Sequence, residues 1–244
     1  MSQNDHAEVF KQERARNNID PAKLGETVMG YRETFDQFVR YSEFMEKAGK
    51  LTPGFSDLSR TKQLAEVMRE SMHILTFEDF VPFSEGERQA YETEALNPFQ
   101  VVGAIGLFMV EPLISLMASE EQKKAWLPMV QNFVWSTCYM QTELSHGSDV
   151  SSLQTTAVFD PKTKEFIINT PSIGATKWWP GDLGVFGTHG LVIAQLYTQG
   201  KCHGVQPFFV QLRDTETYET LPGIEIGDIG PKLGYGGKDN GFCR

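Results

Sequence analysis

The hydrophobic pattern of this chain changes near residue 132, and that change restricts the possible folds more than any other feature. Before it, apolar residues recur at helical spacing, for example at Leu64, Val67 and Met68. After it, apolar and polar residues alternate, and turn-rich segments separate the alternating runs. Because no helical segment lies between these runs, the pattern predicts an α+β fold: a helical domain (residues 1–132) followed by an antiparallel β domain (residues 133–244).

Several helix boundaries are visible in the first half. Asp20 followed by Pro21 predicts a helix start, since aspartate caps the first turn and proline is tolerated at the first helical position. Leu24 and Val28 then share a face, and the next helical segment runs to about residue 50, before the break at 51–54. Further starts are predicted by two capping boxes and by one Asn-Pro pair, at Ser84 with Glu87, Ser119 with Gln122, and Asn97 with Pro98.

The second half contains strand signals. Residues 133–139 are β-prone, and two pairs of runs flank turn-rich connections and so predict hairpins. The first hairpin joins 155–159 to 166–170, and the second joins 191–197 to 205–212. A short final strand is predicted at residues 224–226.

Composition excludes some classes of function. The net charge of −10 argues against a nucleic-acid binder, because such proteins need a basic face to neutralise phosphates. The three cysteines are widely spaced and predict neither a disulfide framework nor a metal site. The longest apolar stretch, residues 99–117, is interrupted by Glu111 and Pro112, so we interpret it as a buried helix and expect no membrane span.

Common catalytic and nucleotide-binding motifs are absent. The glycines between 223 and 241 never form the G-x-G-x-x-G pattern of a dinucleotide-binding fold. A phosphate-binding loop at Gly236-Gly237-Lys238 fails, because Asp239 stands where serine or threonine is required. Ser145 and His146 are adjacent in sequence and therefore cannot face each other as nucleophile and base.

Two segments carry more information. Residues 137–149 predict a strand that runs into a loop of hydroxyl, amide and glycine residues, which suits a polar heteroaromatic edge and a pyrophosphate. Residues 175–184 place Trp178 and Trp179 before Pro180-Gly181, a tight turn whose backbone could approach a flavin ring. From the residues alone, composition favours a plain strand end for the first segment, and an ordinary hydrophobic corner is as open as a flavin surface for the second.

Together, these two segments resemble the acyl-CoA oxidases. That family carries a Tyr-x-Gln-Thr-Glu-Leu-x-His-Gly-Ser stretch and, downstream, Lys-Trp-Trp-Pro-Gly; here they stand at residues 139–148 and 177–181. The likeness covers nearly the whole chain and includes 209–213, 221–224 and 227–232. Acyl-CoA dehydrogenases are similar, but Leu144, where they usually have proline, favours the oxidase branch.

The resemblance implies a fold, ligands and site residues. The β domain would be barrel-like, as in acyl-CoA dehydrogenases, and would bind FAD and a fatty acyl-CoA. Thr142 and Gly181 match the flavin-contacting positions of the family. Because they lie near these two positions in sequence, the expected cofactor-binding residues also include Gln141, Trp178 and Trp179. For the same reason, the expected substrate-binding residues are Gly147, Ser148 and Lys177.

The resemblance also implies a reaction. A fatty acyl-CoA would be oxidised to the trans-2-enoyl-CoA in fatty-acid β-oxidation, with dioxygen reduced to hydrogen peroxide. A glutamate would take the α proton while donors on the thioester carbonyl stabilise the enolate. We expect that base in a carboxy-terminal helical domain beyond Arg244, so no catalytic residue is assigned within this chain. A homodimer in the full-length protein and a peroxisomal location are likewise expected from the family.

Two alternatives remain open from the sequence. The first is an acyl-CoA dehydrogenase that passes electrons to a protein acceptor instead of oxygen. The second is a non-catalytic module that binds FAD or acyl-CoA.

Overall fold

The structure is a computed structural model that describes residues 3–48, 54–75, 102–103, 105–233 and 236–244. These residues fall into two compact units. The first contains the helices before residue 50, and the second contains the other described helices and all the described strands. The domain bounds 1–132 and 133–244 stay predictions.

The first unit consists of helices α1 (Gln3–Arg16), α2 (Pro21–Met29) and α3 (Arg32–Ala48). The predicted cap is confirmed, since Asp20 Oδ1 accepts a hydrogen bond from the Ala22 amide at 2.9 Å. Gly30, with φ of +83°, ends α2 in the left-handed conformation that glycine adopts without strain. The face shared by Leu24 and Val28 is exposed, and α2 instead contacts α3 where the ring of Phe35 lies against Gly25.

The second unit contains three further helices among the described residues. Helix α4 (Arg60–Leu75) follows a single 3₁₀ turn, and a π-helical segment (Gly106–Val110) leads directly into α5 (Glu111–Met117). Helix α6 (Glu120–Gln131) begins with the predicted capping box, in which Ser119 Oγ accepts from the Gln122 amide and Gln122 Oε1 accepts from the Ser119 amide. The starts predicted at Ser84 and Asn97 lie outside the described residues.

The predicted strand at 133–139 begins later than expected. Phe133 has φ of +55°, and its amide donates to the Val130 carbonyl, so the left-handed residue ends α6 and occupies the start of the predicted strand. The described strands are β1 (Thr137–Met140), β2 (Thr156–Asp160), β3 (Glu165–Asn169), β4 (Lys177–Gly181), β5 (His189–Thr198), β6 (Lys201–Gln211), β7 (Ile226–Asp228) and β8 (Asn240–Cys243).

Strand β5 is the centre of a five-stranded sheet. Strand β6 pairs with it antiparallel along its whole length, as the predicted hairpin requires. On the other edge, β1 pairs with the first half of β5, as far as Met140 opposite Val192. Strand β2 pairs with the second half, starting with Thr156 opposite Gln195, and β3 completes the sheet as the predicted hairpin partner of β2. A second, three-stranded sheet has the antiparallel order β4-β8-β7.

The prediction of a purely antiparallel, barrel-like domain is wrong in two respects. Strands β1 and β2 both run parallel to β5, and the described strands form two separate sheets with no closed barrel. The reason is that residues 141–155 pass from β1 to β2 along one edge of β5 instead of returning through a hairpin. A period-two pattern gives the side-chain alternation but not the strand direction, so the sequence could not distinguish these cases.

Alternating residues of β5 contact different layers. Leu191 packs with Val110, Ile114 and Val130 of the helical layer. Val192 belongs to a second cluster on the opposite face, which includes Cys138, Met140, Ala157, Leu183, Ala194, Leu212 and Cys243. Thus helices cover one face of the larger sheet, and the segment that carries β8 covers the other. None of the helices in the described residues is both long and apolar enough to cross a bilayer.

Candidate functional site

The two informative sequence segments meet in the structure. The amide of Trp178 donates to the carbonyl of Thr142 at 3.0 Å, and the amide of Leu144 donates to that of Thr176 at 2.9 Å. A third bond, from the Ser145 amide to the Gly174 carbonyl at 3.0 Å, continues this antiparallel pairing. The loop after β1 therefore lies against β4, so Thr142 and Trp178 become neighbours although 36 positions separate them in sequence.

Glu143 is the centre of this contact. Its carboxylate is buried and accepts hydrogen bonds from the Gln154 amide at 2.8 Å, the Thr155 amide at 2.8 Å and the Thr155 hydroxyl at 2.6 Å. Lys177 Nζ donates to Oε1 at 3.2 Å, and His146 Nδ1 lies 3.1 Å from Oε2. One carboxylate thus connects β4 to both ends of the segment that joins β1 to β2.

The ammonium group of Lys177 is saturated by protein acceptors. Besides Glu143, it donates to the carbonyl of Gln141 at 3.0 Å and to that of Ile193 at 2.7 Å, and the residue is 2% exposed. An ammonium has three N–H donors, and all three are used here. The geometry therefore does not support the predicted direct contact between Lys177 and substrate, because such a contact would require one of these buried bonds to break.

The environment of the pair shifts both pKa values. Burial alone would raise the pKa of Glu143, but hydrogen bonds from Thr155 and Gln154, together with the charge of Lys177, bring it below its ordinary value. Burial lowers the pKa of Lys177, and the neighbouring carboxylate offsets part of that effect. Glu143 is therefore an ionised structural acceptor at neutral pH.

Strand β4 carries the tryptophans on a bulge. The register with β8 shifts between Trp178 and Gly181, and Trp179 has φ of +80°. Trp178 stacks on Phe242, with ring centroids 6.1 Å apart, whereas Trp179 is 48% exposed. Asn240 Nδ2 fixes the bulge by donating to the Trp179 carbonyl at 2.7 Å. The predicted tight turn at Pro180-Gly181 is therefore wrong: these residues are part of a bulged strand.

Gly181 is packed closely against other residues of the protein. A methyl group added there would lie 3.1 Å from Ile105 Cγ1 and 3.1 Å from Lys238 Cε. A side chain at this position would need these groups to shift by a few tenths of an ångström.

The loop that follows β4 is held by buried charges. Asp182 is 0% exposed, has φ of +65° and accepts from Lys238 Nζ at 2.7 Å. Asp239 Oδ2 accepts from the Val185 and Phe186 amides at 2.9 and 3.0 Å. The guanidinium of Arg213 donates to three carbonyls of the same loop, those of Leu183, Gly184 and Gly187.

The remaining predicted residues, Gln141, Gly147 and Ser148, are half-buried or exposed. Gln141 Oε1 accepts from the Tyr139 hydroxyl at 2.6 Å, so this side chain is oriented before any ligand binds. Gly147 and Ser148 are exposed, and a methyl group added at Gly147 would meet no atom within 4 Å. Of the predicted residues, Gln141, Thr142, Lys177 and Trp178 are brought into direct contact with one another.

The residues that hold this site in place gave little signal in the sequence. Glu143 was visible only as a neighbour of Thr142, and Lys238 only within a phosphate-loop pattern that failed. Asp182 carried no sequence signal at all. An acidic residue followed by a distant lysine is common in any chain, so only the contact between them reveals the pair.

Two other features bear on the chemistry. In the described ranges, no group of three His, Cys, Asp or Glu residues is arranged to hold a metal ion. An apolar cavity of about 570 Å³ lies between helices α5 and α6 and strands β3 and β6. Its lining includes Trp126, Phe166 and Phe208 but none of the predicted site residues. The cavity is thus separate from the contact between Thr142 and Trp178.

Comparison with known proteins gives a consistent result. The family described as acyl-CoA dehydrogenase, middle domain, matches residues 138–243. Peroxisomal acyl-coenzyme A oxidase 1 of Arabidopsis thaliana is 43% identical over 190 residues, which are 76% of this chain and 28% of that protein. The chain spans about a third of the length of the relatives it matches.

Solved structures agree with the sequence match. An acyl-CoA oxidase from tomato aligns with a TM-score of 0.82 and 34% identity, over 96% of this chain and 36% of that one. Acyl-CoA oxidase-2 of Caenorhabditis elegans, bound with FAD, ascaroside-CoA and ATP, aligns with a TM-score of 0.82 and 30% identity, again over 96% and 36% of the two chains. By sequence and by fold, this chain belongs to the acyl-CoA oxidase family.

Proposed function

We propose that this chain provides the FAD-contacting region of a peroxisomal acyl-CoA oxidase, which oxidises a fatty acyl-CoA to the trans-2-enoyl-CoA and reduces dioxygen to hydrogen peroxide. The observation that carries the proposal is the hydrogen bond from the Trp178 amide to the Thr142 carbonyl, which joins two segments expected to contact one flavin. The FAD and ascaroside-CoA bound in the C. elegans relative, and the peroxisomal names of several relatives, support it. A homodimer in the full-length protein is part of the same proposal.

The residues present fit a flavin. Thr142 is half-buried, and within the described residues its hydroxyl has no hydrogen-bond partner in the protein, so it is free to bond a polar ring edge. The half-buried indole of Trp178, fixed on Phe242, provides a flat apolar surface beside it. Exposed backbone at Gly147 and Ser148 leaves room for the acyl-CoA.

When bound, FAD supplies the acceptor for the β hydride and the electrons that reduce dioxygen. The residues of this chain would orient and enclose the cofactor and the substrate. Thr142 would bond the polar ring edge, Gln141 and Trp179 would line the same pocket, and the main chain at Gly181 would complete it. No residue of this chain is proposed as the base, and Glu143 is unsuitable because its oxygens already accept four hydrogen bonds and its pKa is lowered.

Titration of the purified chain with FAD, followed by flavin fluorescence, tests the cofactor site. We expect saturable binding that Thr142→Val weakens about fivefold to tenfold, the usual value of one lost hydrogen bond. Thr163→Val, on the exposed β2–β3 connection, is the matched control and should bind as the wild type does. Absence of saturable binding would remove the proposal of an autonomous flavin site.

The oxidase reaction is tested in a protein of the relatives' length. In a chimera, this chain would replace the matching region of the Arabidopsis relative. We expect peroxide formation with a fatty acyl-CoA. A chimera that reduces an artificial electron acceptor yet forms no peroxide would favour an acyl-CoA dehydrogenase instead.

A further inference from the structure

The buried ion pair lies next to the backbone contact that defines the proposed flavin site. Glu143 directly follows Thr142, and Lys177 directly precedes Trp178. The side chains of the pair are 0% and 2% exposed. Any movement of the pair would therefore be transmitted to the Thr142–Trp178 hydrogen bond one residue away.

Fold stability does not explain why charges are buried here. Two ions lose their hydration on burial, and a well-packed apolar pair of similar volume is often as stable or more stable. Ionic hydrogen bonds are more directional than apolar contacts, so a buried pair can fix one register among several. This matters for β4, because a slip of one residue would turn Trp178 to the opposite face.

The location of the pair supports a role in register. The ladder between β1 and β5 ends at Met140, and the ladder between β2 and β5 begins at Thr156. Between them, Lys177 Nζ reaches the Ile193 carbonyl of β5, and Glu143 accepts from the Gln154 and Thr155 amides just before β2. The pair thus connects the loop to β4, to β5 and to the start of β2, in the gap between the two ladders.

We propose that Glu143 and Lys177 are positioning residues that set the register of the Thr142 loop against β4, and so determine whether Thr142 and Trp178 present one surface to the flavin. The part that concerns flavin rests on the proposed function. The part that concerns register is a property of the chain alone. Neither residue touches the ligand.

The test compares Lys177→Met, Glu143→Gln and the double variant in the full chain. Each single variant should lower Tm, because one partner of a buried pair is left alone. The double variant has no lone buried charge and should recover most of the wild-type Tm. Val130→Ala, in the helical layer, is a control that lowers Tm without touching the loop.

Hydrogen exchange of the Trp178 amide, measured relative to the buried β5 amide of Leu191, reports on the register. We expect the double variant to exchange at Trp178 about tenfold faster than the wild type even after Tm has recovered, while Val130→Ala leaves the ratio unchanged. FAD affinity should remain weakened in the double variant. Exchange and affinity that return together with Tm would overturn the proposal and leave the pair a purely structural one.

Two further outcomes are distinguishable. If the wild-type chain binds no FAD, the proposed flavin site fails for this chain, and the exchange ratio at Trp178 still decides the register role. If the charge variants do not fold, Thr155→Val keeps both charges and removes the hydroxyl, which donates to Glu143 Oε1 at 2.6 Å and also lies 3.2 Å from the Ala175 carbonyl oxygen. It should raise the Trp178 exchange ratio severalfold, and an unchanged ratio would contradict the proposal.

Discussion

The imidazole of His189 stacks on the indole of Trp135, with ring centroids 4.1 Å apart and planes inclined by 24°. Phe209 stacks against the same imidazole at 5.5 Å, and His189 is 5% exposed. Burial between two apolar rings lowers the pKa of His189 from 6.5 to about 4. The first residue of β5 is therefore neutral at physiological pH.

This burial predicts a pH-dependent stability. Above pH 6.5, His189 is neutral in both states and stability is full; between 6.5 and about 4 only the unfolded chain gains the proton, so stability falls. The loss amounts to about 3 kcal/mol over that window. His189→Phe should remove it in urea unfolding followed from pH 7 to pH 4, whereas His203→Phe, exposed on β6, should not. An unchanged pH profile in His189→Phe would contradict the assignment.

The lowered pKa of Glu143 predicts a second loss of folding stability, at lower pH. Its folded-state pKa lies below the ordinary 4.5, so its contribution is full above that value and is lost as the pH falls below it. Glu143→Gln should destabilise the chain by about 3–5 kcal/mol at pH 7, because Lys177 keeps a buried charge without its partner. The variant should also lose part of the stability decrease below pH 4.5. Urea titrations at pH 7, 4.5 and 3.5 measure both effects, and an equal decrease in variant and wild type would disprove the second.

The close packing around Gly184 predicts that a larger residue at this position destabilises the protein. A methyl group there would lie 2.5 Å from Asp239 Oδ1 and 3.0 Å from Asp228 Cα. Because backbone cannot move aside, Gly184→Ala should lower the free energy of unfolding by about 1–3 kcal/mol. Gly147→Ala is the matched control, and its exposed, open position predicts a change within about 0.5 kcal/mol. Equal stability of the two variants in thermal unfolding would refute the close packing.

Arg213 predicts a requirement for the guanidinium shape. Its Nη1 and Nη2 atoms donate to the carbonyls of Leu183, Gly184 and Gly187, which a lysine ammonium cannot reach together. Arg213→Lys keeps the charge but should cost about 2 kcal/mol or more, because buried carbonyls lose their donor. Arg32→Lys, at an exposed ion pair of α3, should leave Tm unchanged. A wild-type Tm in Arg213→Lys would show that the loop does not depend on the two-nitrogen geometry of the guanidinium.

Local signals in the sequence were reliable where a few neighbouring residues decide the structure. The Asp20 cap and the Ser119–Gln122 capping box formed as predicted, because each satisfies backbone groups within one helical turn. The two hairpins also formed, since short turn-rich connections leave antiparallel pairing as the simple outcome. The start of β1 was missed because the left-handed Phe133 depends on how α6 ends.

By itself, the sequence determined the family, the change from helix to strand, and the two segments that meet. Tertiary structure alone decided that β1 and β2 run parallel to β5 and that Pro180-Gly181 lies in a bulged strand. It also decided that the ammonium group of Lys177 donates all its hydrogen bonds to protein acceptors. The physical reason is the distance along the sequence over which each interaction acts. Caps, turns and alternation act between near neighbours, whereas strand direction and the burial of a charge depend on partners more than thirty residues away, such as Lys177 for Glu143.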